Sequence, residues 1–187
     1  MNFSLEQGKT LVKLARSTIF SKPIKVNNFH EKFGVFVTIN SYPSGTLRGC
    51  IGFPEPIYPL NQGVINAARH AALNDPRFMP VTDNEEVTIE VSILSKPEKI
   101  IVNSPDEYPS KINIGKDGLI IEYNQNYGLL LPQVFTEHKV NATEALEMVC
   151  EKAGLPRNAW KEYPCKIYKF QAQIFYEKEP NGEILEK

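Results

Sequence analysis

The segment GVFVTINSYPSGTLRGCIGF, residues 34–53, contains two stretches with the alternating apolar pattern of β-strands, joined by a turn sequence at 41–45. With Asn40 opposite Thr46, the second strand returns antiparallel to the first and one face of the hairpin is apolar. Because alternate side chains of a strand point to the same face, the opposite face carries Phe36, Thr38, Arg48 and Cys50. The segment therefore predicts a sheet that is apolar on one face and polar on the other.

Helices and further strands are predicted on both sides of this hairpin. Ser4 and Gln7 have the spacing of a capping box ahead of a helix from about 5 to 19. Other patterns predict helices at about 60–74 and after Asn141, strands at 87–94 and 166–177, and a hairpin at 119–131. This mixed order favours an α+β fold in which helices flank a mixed or antiparallel sheet.

Charge and hydropathy exclude several classes of protein. The formal net charge of the 187 residues is −1, so no broad basic field indicates a nucleic-acid partner, although a local basic patch is compatible with one. The N-terminus lacks a secretion signal, and no apolar run approaches the roughly 18 residues that a membrane helix needs. We therefore expect a cytoplasmic protein with no membrane partner.

Neither a disulfide framework nor a cofactor motif is present in the sequence. The three cysteines are an odd number at wide spacing, which favours reduced thiols: Cys50, Cys150 and Cys165. Three histidines stand apart from one another: His30, His70 and His138. No zinc-ligand spacing, dinucleotide fingerprint or phosphate-binding loop occurs, so neither a metal nor another cofactor is predicted.

Cys50 is the strongest candidate for chemistry, since it lies in a strand between Gly49 and Gly52 and two positions after Arg48. A guanidinium on the same face favours the thiolate, and the glycines leave backbone room for a carbonyl or phosphate of a substrate. The alternative is a small buried side chain beside glycines that a curved sheet needs. Both interpretations are left open by the sequence.

Four further residues extend this candidate site. His70, on the predicted second helix, is the nearest base in sequence, although its pattern favours the alternative of a solvated helix face. Glu90 and Ser92 lie on the polar face of their strand, where Glu90 forms either a structural ion pair with Arg48 or the acid-base group of an enzyme. Gln133 follows a proline and is placed to present its amide to a ligand.

The DPRF sequence at 75–78 follows the second predicted helix. Asp75 and Arg77 form either a turn with an internal ion pair or, through Arg77, a bidentate site for a carboxylate or phosphate. We include both among the candidate substrate-binding residues.

Five sequence blocks resemble the AMME-syndrome candidate protein family, which carries the AMMECR domain. They are Leu47–Gly52, Asp75–Phe78 with Pro80, Glu90–Ser92, Gly128–Val134, and Lys152–Leu155 with Trp160. The resemblance implies one domain over residues 1–187, with an α+β fold in two unequal lobes. The larger lobe would join the N- and C-terminal parts of the chain, and the smaller one would span about 54–85.

The resemblance implies less about activity. The family is suspected of roles in transcription, translation or repair, and in some prokaryotic genomes its genes accompany a Memo-type protein and a radical S-adenosylmethionine enzyme, which are candidate partners. Two hypotheses follow. One is an enzyme that acts on a small polar or anionic substrate at a cleft between the lobes, with Cys50 as its thiol. The other is a non-catalytic binding module for a protein, RNA or nucleotide partner, with a regulatory role.

Overall fold

The structure of the chain is a computed structural model that describes residues 2–22 and 24–187. The chain divides into two compact units: the first comprises Met1–Lys96 and Gln173–Lys187, and the second comprises Pro97–Ala172. The two units are unequal, and the larger one joins the N- and C-terminal parts of the chain. The segment 54–85 lies inside the larger unit and is not a separate lobe, because its helix packs into the core of that unit.

Helices and strands are interspersed along the chain. In order they are α1 (Leu5–Ile19), β1 (Gly34–Ser41), β2 (Leu47–Phe53), α2 (Leu60–Leu73), β3 (Val87–Leu94), β4 (Glu98–Lys99), a 3-10 helix (Pro105–Lys111), β5 (Asp117–Tyr123), β6 (Asn126–Leu130), α3 (Pro132–Glu137), α4 (Ala142–Lys152), α5 (Ala159–Glu162), β7 (Lys166–Glu177) and β8 (Ile184–Glu186).

The sheet of the first unit begins with the predicted hairpin. Its strand order is β2, β1, β3 and then the C-terminal part of β7, to which β8 pairs. Both neighbours of β1 are antiparallel to it. The predicted register of the hairpin is wrong by two residues, since Val37 lies opposite Ile51 rather than Gly49. A shift of two keeps the side chains of 35–39 and 49–53 on their predicted faces, because the period of a strand is two. At Asn40 the shift is only one, since Asn40 lies opposite Leu47 rather than Thr46.

Helices α1 and α2 cover one face of this sheet. Apolar side chains of both helices, among them Leu11 and Val64, form one buried cluster with Val35 and Val37 of β1 and Val91 of β3. α1 begins with the predicted capping box, in which the Ser4 side chain accepts a hydrogen bond from the Gln7 backbone N–H. The opposite face of the sheet carries the candidate site.

The second unit has its own core. Strands β5 and β6 form a hairpin, β5 also pairs with β7, and α4 contacts both strands of the hairpin. Buried apolar residues of α4, including Leu146 and Val149, pack with Leu119 and Ile121 of β5. The hairpin turn is tighter than predicted, since Tyr123 already pairs with Asn126. α4 begins with a capping box at Asn141 and Glu144, as the sequence indicates.

Several short elements have no counterpart in the sequence-based prediction. They are the two-residue β4, the 3-10 helix, α3, α5 and β8. The helices among them have at most seven residues and the strands at most three, which is too short to display a helical or a strand period. Over the described residues, no helix is both long enough and apolar enough to cross a membrane.

Candidate functional site

Three polar side chains, one from each of three neighbouring strands, lie in line on the face of the first unit's sheet that α1 and α2 do not cover. Thr38 of β1 is paired with Cys50 of β2 on one side and with Glu90 of β3 on the other. We call these three residues the polar row. The Thr38 hydroxyl donates a hydrogen bond to the Cys50 sulfur, with 3.3 Å between Oγ1 and Sγ. The thiol is half-buried and Glu90 is buried.

The outer edge of β2 is held by an ion pair between Asp75 and Arg77. The Asp75 carboxylate accepts a hydrogen bond from the Cys50 backbone N–H at 2.9 Å, and Arg77 Nη2 donates to the Cys50 carbonyl at 3.2 Å. Both backbone groups of Cys50 therefore point away from β1. Residues in such a non-hydrogen-bonded antiparallel pair approach closely, to about 4.5 Å between Cα atoms, which explains the contact between Thr38 and the thiol.

Arg77 is fixed in place and yet half exposed. Its Nε and Nη2 lie 2.9 and 2.7 Å from the two Asp75 oxygens, and its guanidinium carbon lies 5.4 Å from the centre of the Phe78 ring. The Arg77 side chain is 53% exposed, whereas that of Asp75 is 2% exposed. The Arg77 guanidinium holds the pKa of the Asp75 carboxyl well below its usual range. The turn with an internal ion pair, one of the two alternatives for DPRF, is present in the structure.

The Cys50 thiol is not strongly activated by its surroundings. Burial raises the pKa of Cys50 above its ordinary value, and the nearby Glu90 and Asp75 carboxylates act in the same direction. The Thr38 hydroxyl and the Arg77 guanidinium lower the pKa and offset part of this effect. Burial therefore favours the neutral form of the Cys50 thiol, and a neutral thiol is a poor nucleophile.

The prediction that Arg48 activates Cys50 is wrong. The pairing of β1 with β2 is irregular at this point, since Gly49 lies opposite Ile39 and Leu47 opposite Asn40, which leaves Arg48 as an extra residue. Arg48 Nε and Nη2 bind the Glu85 carboxylate at 2.7 and 3.0 Å. Arg48 therefore fastens the segment between α2 and β3 to β2, and Arg77 is the arginine near the sulfur.

The predicted ion pair between Glu90 and Arg48 is also wrong. The Glu90 carboxylate instead binds the ammonium group of Lys187, with 2.6 Å between Nζ and Oε2. Lys187 follows β8, and its backbone N–H donates to the Ile174 carbonyl of β7 at 3.0 Å. The pairing of β8 with β7 thus brings this lysine to Glu90.

The space beside the two glycines of β2 is filled by the protein itself, so the prediction that they leave room for a substrate is wrong. A Cβ atom on Gly49 would lie 2.3 Å from the Ala71 carbonyl oxygen, and one on Gly52 would lie 2.3 Å from the Phe36 ring. Gly49 permits α2 to approach the sheet, and Gly52 permits Phe36 to lie across β2. Close packing explains both glycines.

His70 is not brought to the thiol. Its ring lies 6.4 Å from that of Phe53, which pairs with Val35 and so belongs to the face covered by the helices. Cys50 projects from the opposite face of the sheet. His70 is exposed near the end of α2, in agreement with the solvated-face alternative.

Ser92 and Gln133 each bury a polar atom that has no hydrogen-bond partner among the described residues, namely Oγ and Oε1. Ser92 is completely buried and lies opposite Phe36, next to the polar row. Gln133 belongs to the second unit, where it lies in the first turn of α3 rather than in a loop. Buried polar atoms of this kind are uncommon and are candidates for ligand contact.

Sequence reasoning missed three partners of the site residues. Thr38 was placed on the correct face but not next to the thiol, because the register was wrong. Glu85 and Lys187, which bind Arg48 and Glu90, carry no motif. The sequence around a charged residue in a polar segment does not indicate which distant residue it will pair with across the sheet.

Two surface grooves of the first unit lie away from the polar row. One, of about 780 Å³, is lined by the ends of α1 and α2 and by Val81–Asp83, and the other, of about 630 Å³, lies beside Lys13 and Lys22. None of the predicted site residues lines either groove. Within residues 2–22 and 24–187, no group of three or more His, Cys, Asp or Glu side chains is placed to hold a metal ion.

Comparison with known proteins places the chain in a family. The AMMECR1 family model matches residues 9–175. Protein Ta0236 of Thermoplasma acidophilum is 50% identical, in an alignment that covers 98% of this chain and 94% of that protein. Protein MJ0810 of Methanocaldococcus jannaschii is likewise 50% identical, with 98% and 96% covered.

A solved structure has the same fold. The crystal structure of the uncharacterised protein PH0010 from Pyrococcus horikoshii matches with a TM-score of 0.89 and 46% identity, over 97% of each chain. The predicted α+β fold is confirmed by this match. From the family model, the two relatives and this structure, we conclude that the chain belongs to the AMMECR1 family.

Proposed function

We propose that the protein is a binding module that holds a polar group of a small molecule or of a partner protein against the polar row and Arg77, with no nucleophilic role for Cys50. The observation that carries this proposal is the state of Arg77, a guanidinium that is fixed by two partners and is still half exposed. A fixed donor at the surface binds a ligand with little loss of side-chain entropy.

The donors of Arg77 indicate what it would bind. A guanidinium has five N–H groups, of which Nε and Nη2 use three on Asp75 and on the Cys50 carbonyl. The two N–H groups of Nη1 make no hydrogen bond among the described residues, and we assign them to the ligand. Because the Asp75 carboxylate neutralises the charge of Arg77, these N–H groups act as hydrogen-bond donors more than as a cation. A carbonyl, carboxylate or phosphate oxygen is the complementary acceptor.

The test follows the Arg77 side chain directly. Acetate, inorganic phosphate and adenosine monophosphate are titrated into ¹⁵N-labelled protein, and the Arg77 Nε–H and Cys50 amide signals are followed by NMR. We expect saturable shifts at both signals for at least one probe, and their loss in Arg77→Lys, since a lysine cannot reproduce the planar fork.

Arg69→Lys is the matched control, because Arg69 is an exposed arginine of the same unit with no ion pair among the described residues. Retention of binding in this variant supports the proposal. Equal loss in both variants, or the absence of any saturable shift, contradicts it. A strong dependence of affinity on salt would indicate a multivalent phosphate ligand such as RNA instead.

An enzyme with Cys50 as its thiol is the second candidate. The Thr38 hydroxyl and the Arg77 guanidinium both favour the thiolate, and a ligand that neutralises Glu90 would favour it further. Iodoacetamide labelling at pH 7, read by mass spectrometry, separates the two candidates. If Cys50 is labelled much faster than Cys165 in the presence of a ligand, the enzyme is supported. Equal labelling rates of the two cysteines support the binding module.

A further inference from the structure

The contact between Glu90 and Lys187 has the composition of a binding site for an ammonium group. The Glu90 carboxylate is 9% exposed and lies 2.6 Å from the Lys187 Nζ. The same Nζ lies 5.5 Å from the centre of the Tyr176 ring. A buried carboxylate together with an aromatic face is the arrangement that attracts an organic cation, through a charge-assisted hydrogen bond and a cation–π contact.

The Lys187 ammonium is held less firmly by the protein than the Glu90 carboxylate that it binds. The Lys187 side chain is 44% exposed, and its ammonium makes no other hydrogen bond among the described residues. Glu90, in contrast, lies on a central strand and is buried. Taking a carboxylate out of water without a counter-charge is costly, so a cation is required at this position. Lys187 can move into solvent without disturbing the core when another cation replaces it.

We propose that Glu90 and Tyr176 form a subsite for a primary ammonium group on an aliphatic chain, and that Lys187 fills this subsite when no ligand is bound. The inference deepens the proposed function and rests on it, because Glu90 belongs to the same polar row as Cys50. Strands lie about 4.8 Å apart, so the Cα atoms of Cys50 and Glu90 are about 10 Å apart. A ligand that spans the row carries its ammonium at Glu90 and an acceptor oxygen toward Arg77.

A lysine residue of a peptide has this chemistry, with an ammonium at the end of its side chain and a backbone carbonyl at the other end. A free amino-alkyl carboxylate shares it. We assign the subsite to the shared group, an alkyl ammonium with an oxygen acceptor. Nα-acetyl-lysine N-methylamide serves as the peptide probe and 6-aminohexanoate as the small-molecule probe.

Because a ligand has to compete with Lys187 for the subsite, removal of Lys187 should increase the affinity for the probes by a calculable factor. A tethered side chain competes at an effective concentration in the millimolar range. If Lys187 fills the subsite about nine-tenths of the time, its removal strengthens the binding of the probes about 10-fold. Lys187→Met keeps much of the apolar stem and removes the ammonium. Lys178→Met is the matched control, because Lys178 is an exposed lysine that precedes the same C-terminal segment and has no ion pair among the described residues.

The experiment measures the binding of both probes by NMR titration in wild type, Lys187→Met, Lys178→Met and the double variant Lys187→Met/Glu90→Gln. We expect about 10-fold tighter binding in Lys187→Met, unchanged binding in Lys178→Met, and loss of binding in the double variant. Nα-acetyl-norleucine N-methylamide, which lacks the ammonium, should not bind any of the four proteins. The urea midpoint of each variant shows whether it is folded, and Lys187→Gln replaces Lys187→Met if the latter is not.

Failure of this inference is distinguishable from failure of the proposed function. If Lys187→Met does not bind the ammonium probes but the Arg77 signals still respond to acetate or phosphate, the subsite is overturned and the proposed function stands. If neither the ammonium probes nor the anions bind, both are overturned. Tighter binding of one ammonium probe than of the other identifies the source of the ligand.

Discussion

Asp75 and Glu90 are both nearly buried carboxylates of the first unit, and each is paired with a cation, but they differ in how many donors hold them. Asp75 accepts four hydrogen bonds, three from Arg77 two positions away and one from the Cys50 backbone. Glu90 is paired with a single ammonium group from Lys187. Because of this difference in the number of donors, we call the contacts of Asp75 the permanent fastening and the contact of Glu90 with Lys187 the exchangeable contact. Asp75 is therefore part of the fold, whereas Glu90 is the carboxylate that we propose as a ligand contact.

Removal of Asp75 tests the permanent fastening and has the largest expected effect. Asp75→Ala should lower the free energy of unfolding by about 3 kcal/mol, because a buried carboxylate and the hydrogen bonds that it accepts are lost, and the Cys50 amide and Arg77 are left without this acceptor. Urea denaturation followed by circular dichroism measures the change. Asp83→Ala, at an exposed aspartate without an ion pair among the described residues, is the control. A loss of less than 1 kcal/mol in Asp75→Ala would contradict a structural role.

Acidification should weaken the same fastening. Because Arg77 lowers the pKa of Asp75 in the folded protein, the stabilisation is complete above the pKa of an unfolded aspartate and is lost as the pH falls through it toward the folded value. Between pH 5 and pH 3, wild type should lose about 1 kcal/mol more than Asp75→Asn, given an unfolded pKa near 3.9. Denaturant midpoints at both pH values measure this difference.

Glu85 titrates in the same direction, since Arg48 lowers its pKa as well. Glu85→Gln therefore serves as the reference for that contribution. If Asp75→Asn loses as much stability on acidification as wild type, the pH dependence has another source.

The exchangeable contact between Glu90 and Lys187 should contribute less to the free energy of unfolding than Asp75 does. A double-mutant cycle with Glu90→Gln and Lys187→Met should give a coupling free energy of about 1 kcal/mol, because Lys187 is partly solvated and a single ion pair of this kind is weak. The free energies of unfolding of wild type, both single variants and the double variant provide the cycle. A coupling as large as the effect of Asp75→Ala would show that Lys187 is a permanent part of the fold and would remove the distinction.

The smallest expected effect is on the reactivity of the Cys50 thiol when its hydrogen bond from Thr38 is removed. Thr38→Val removes the hydrogen bond that lowers the pKa of Cys50, so alkylation of Cys50 by iodoacetamide at pH 8 should slow about 2-fold. Cys165 of the same protein is the internal reference, since its sulfur donates to the Ala159 carbonyl and makes no contact with Thr38. Faster alkylation in Thr38→Val would mean that the hydroxyl acts mainly by shielding the sulfur.

The faces of the central hairpin were predictable from sequence, whereas its register was not. Alternation with a period of two assigns Thr38 and Cys50 to one face whatever the register, provided that the shift is an even number of residues. The turn shifts the register by one residue, since Asn40 lies opposite Leu47 rather than Thr46, and the irregularity at Arg48 adds one more. The total from Gly49 onward is even, so the alternation of the sequence does not reveal the shift. Helices α1 and α4 were located well because each begins with a capping box, a local signal.

The partners of the candidate residues could not be predicted for a different reason. Glu90 and Lys187 are 97 positions apart, and they meet only because β8 pairs with β7. Gly49 was interpreted as open space because a sequence shows that a side chain is absent but not what fills its place, which here is the Ala71 carbonyl. The candidate residues were found by type and spacing, while their roles depended on contacts between distant parts of the chain.

β2 is the last strand of its sheet, and strands in that position commonly recruit a strand from another molecule. An added strand would need the N–H and carbonyl groups of Cys50, but these are already hydrogen-bonded to Asp75 and Arg77. Self-association by sheet extension is therefore blocked in the middle of β2. A partner that approaches Cys50 has to recognise its side chain and the neighbouring row, not its main chain.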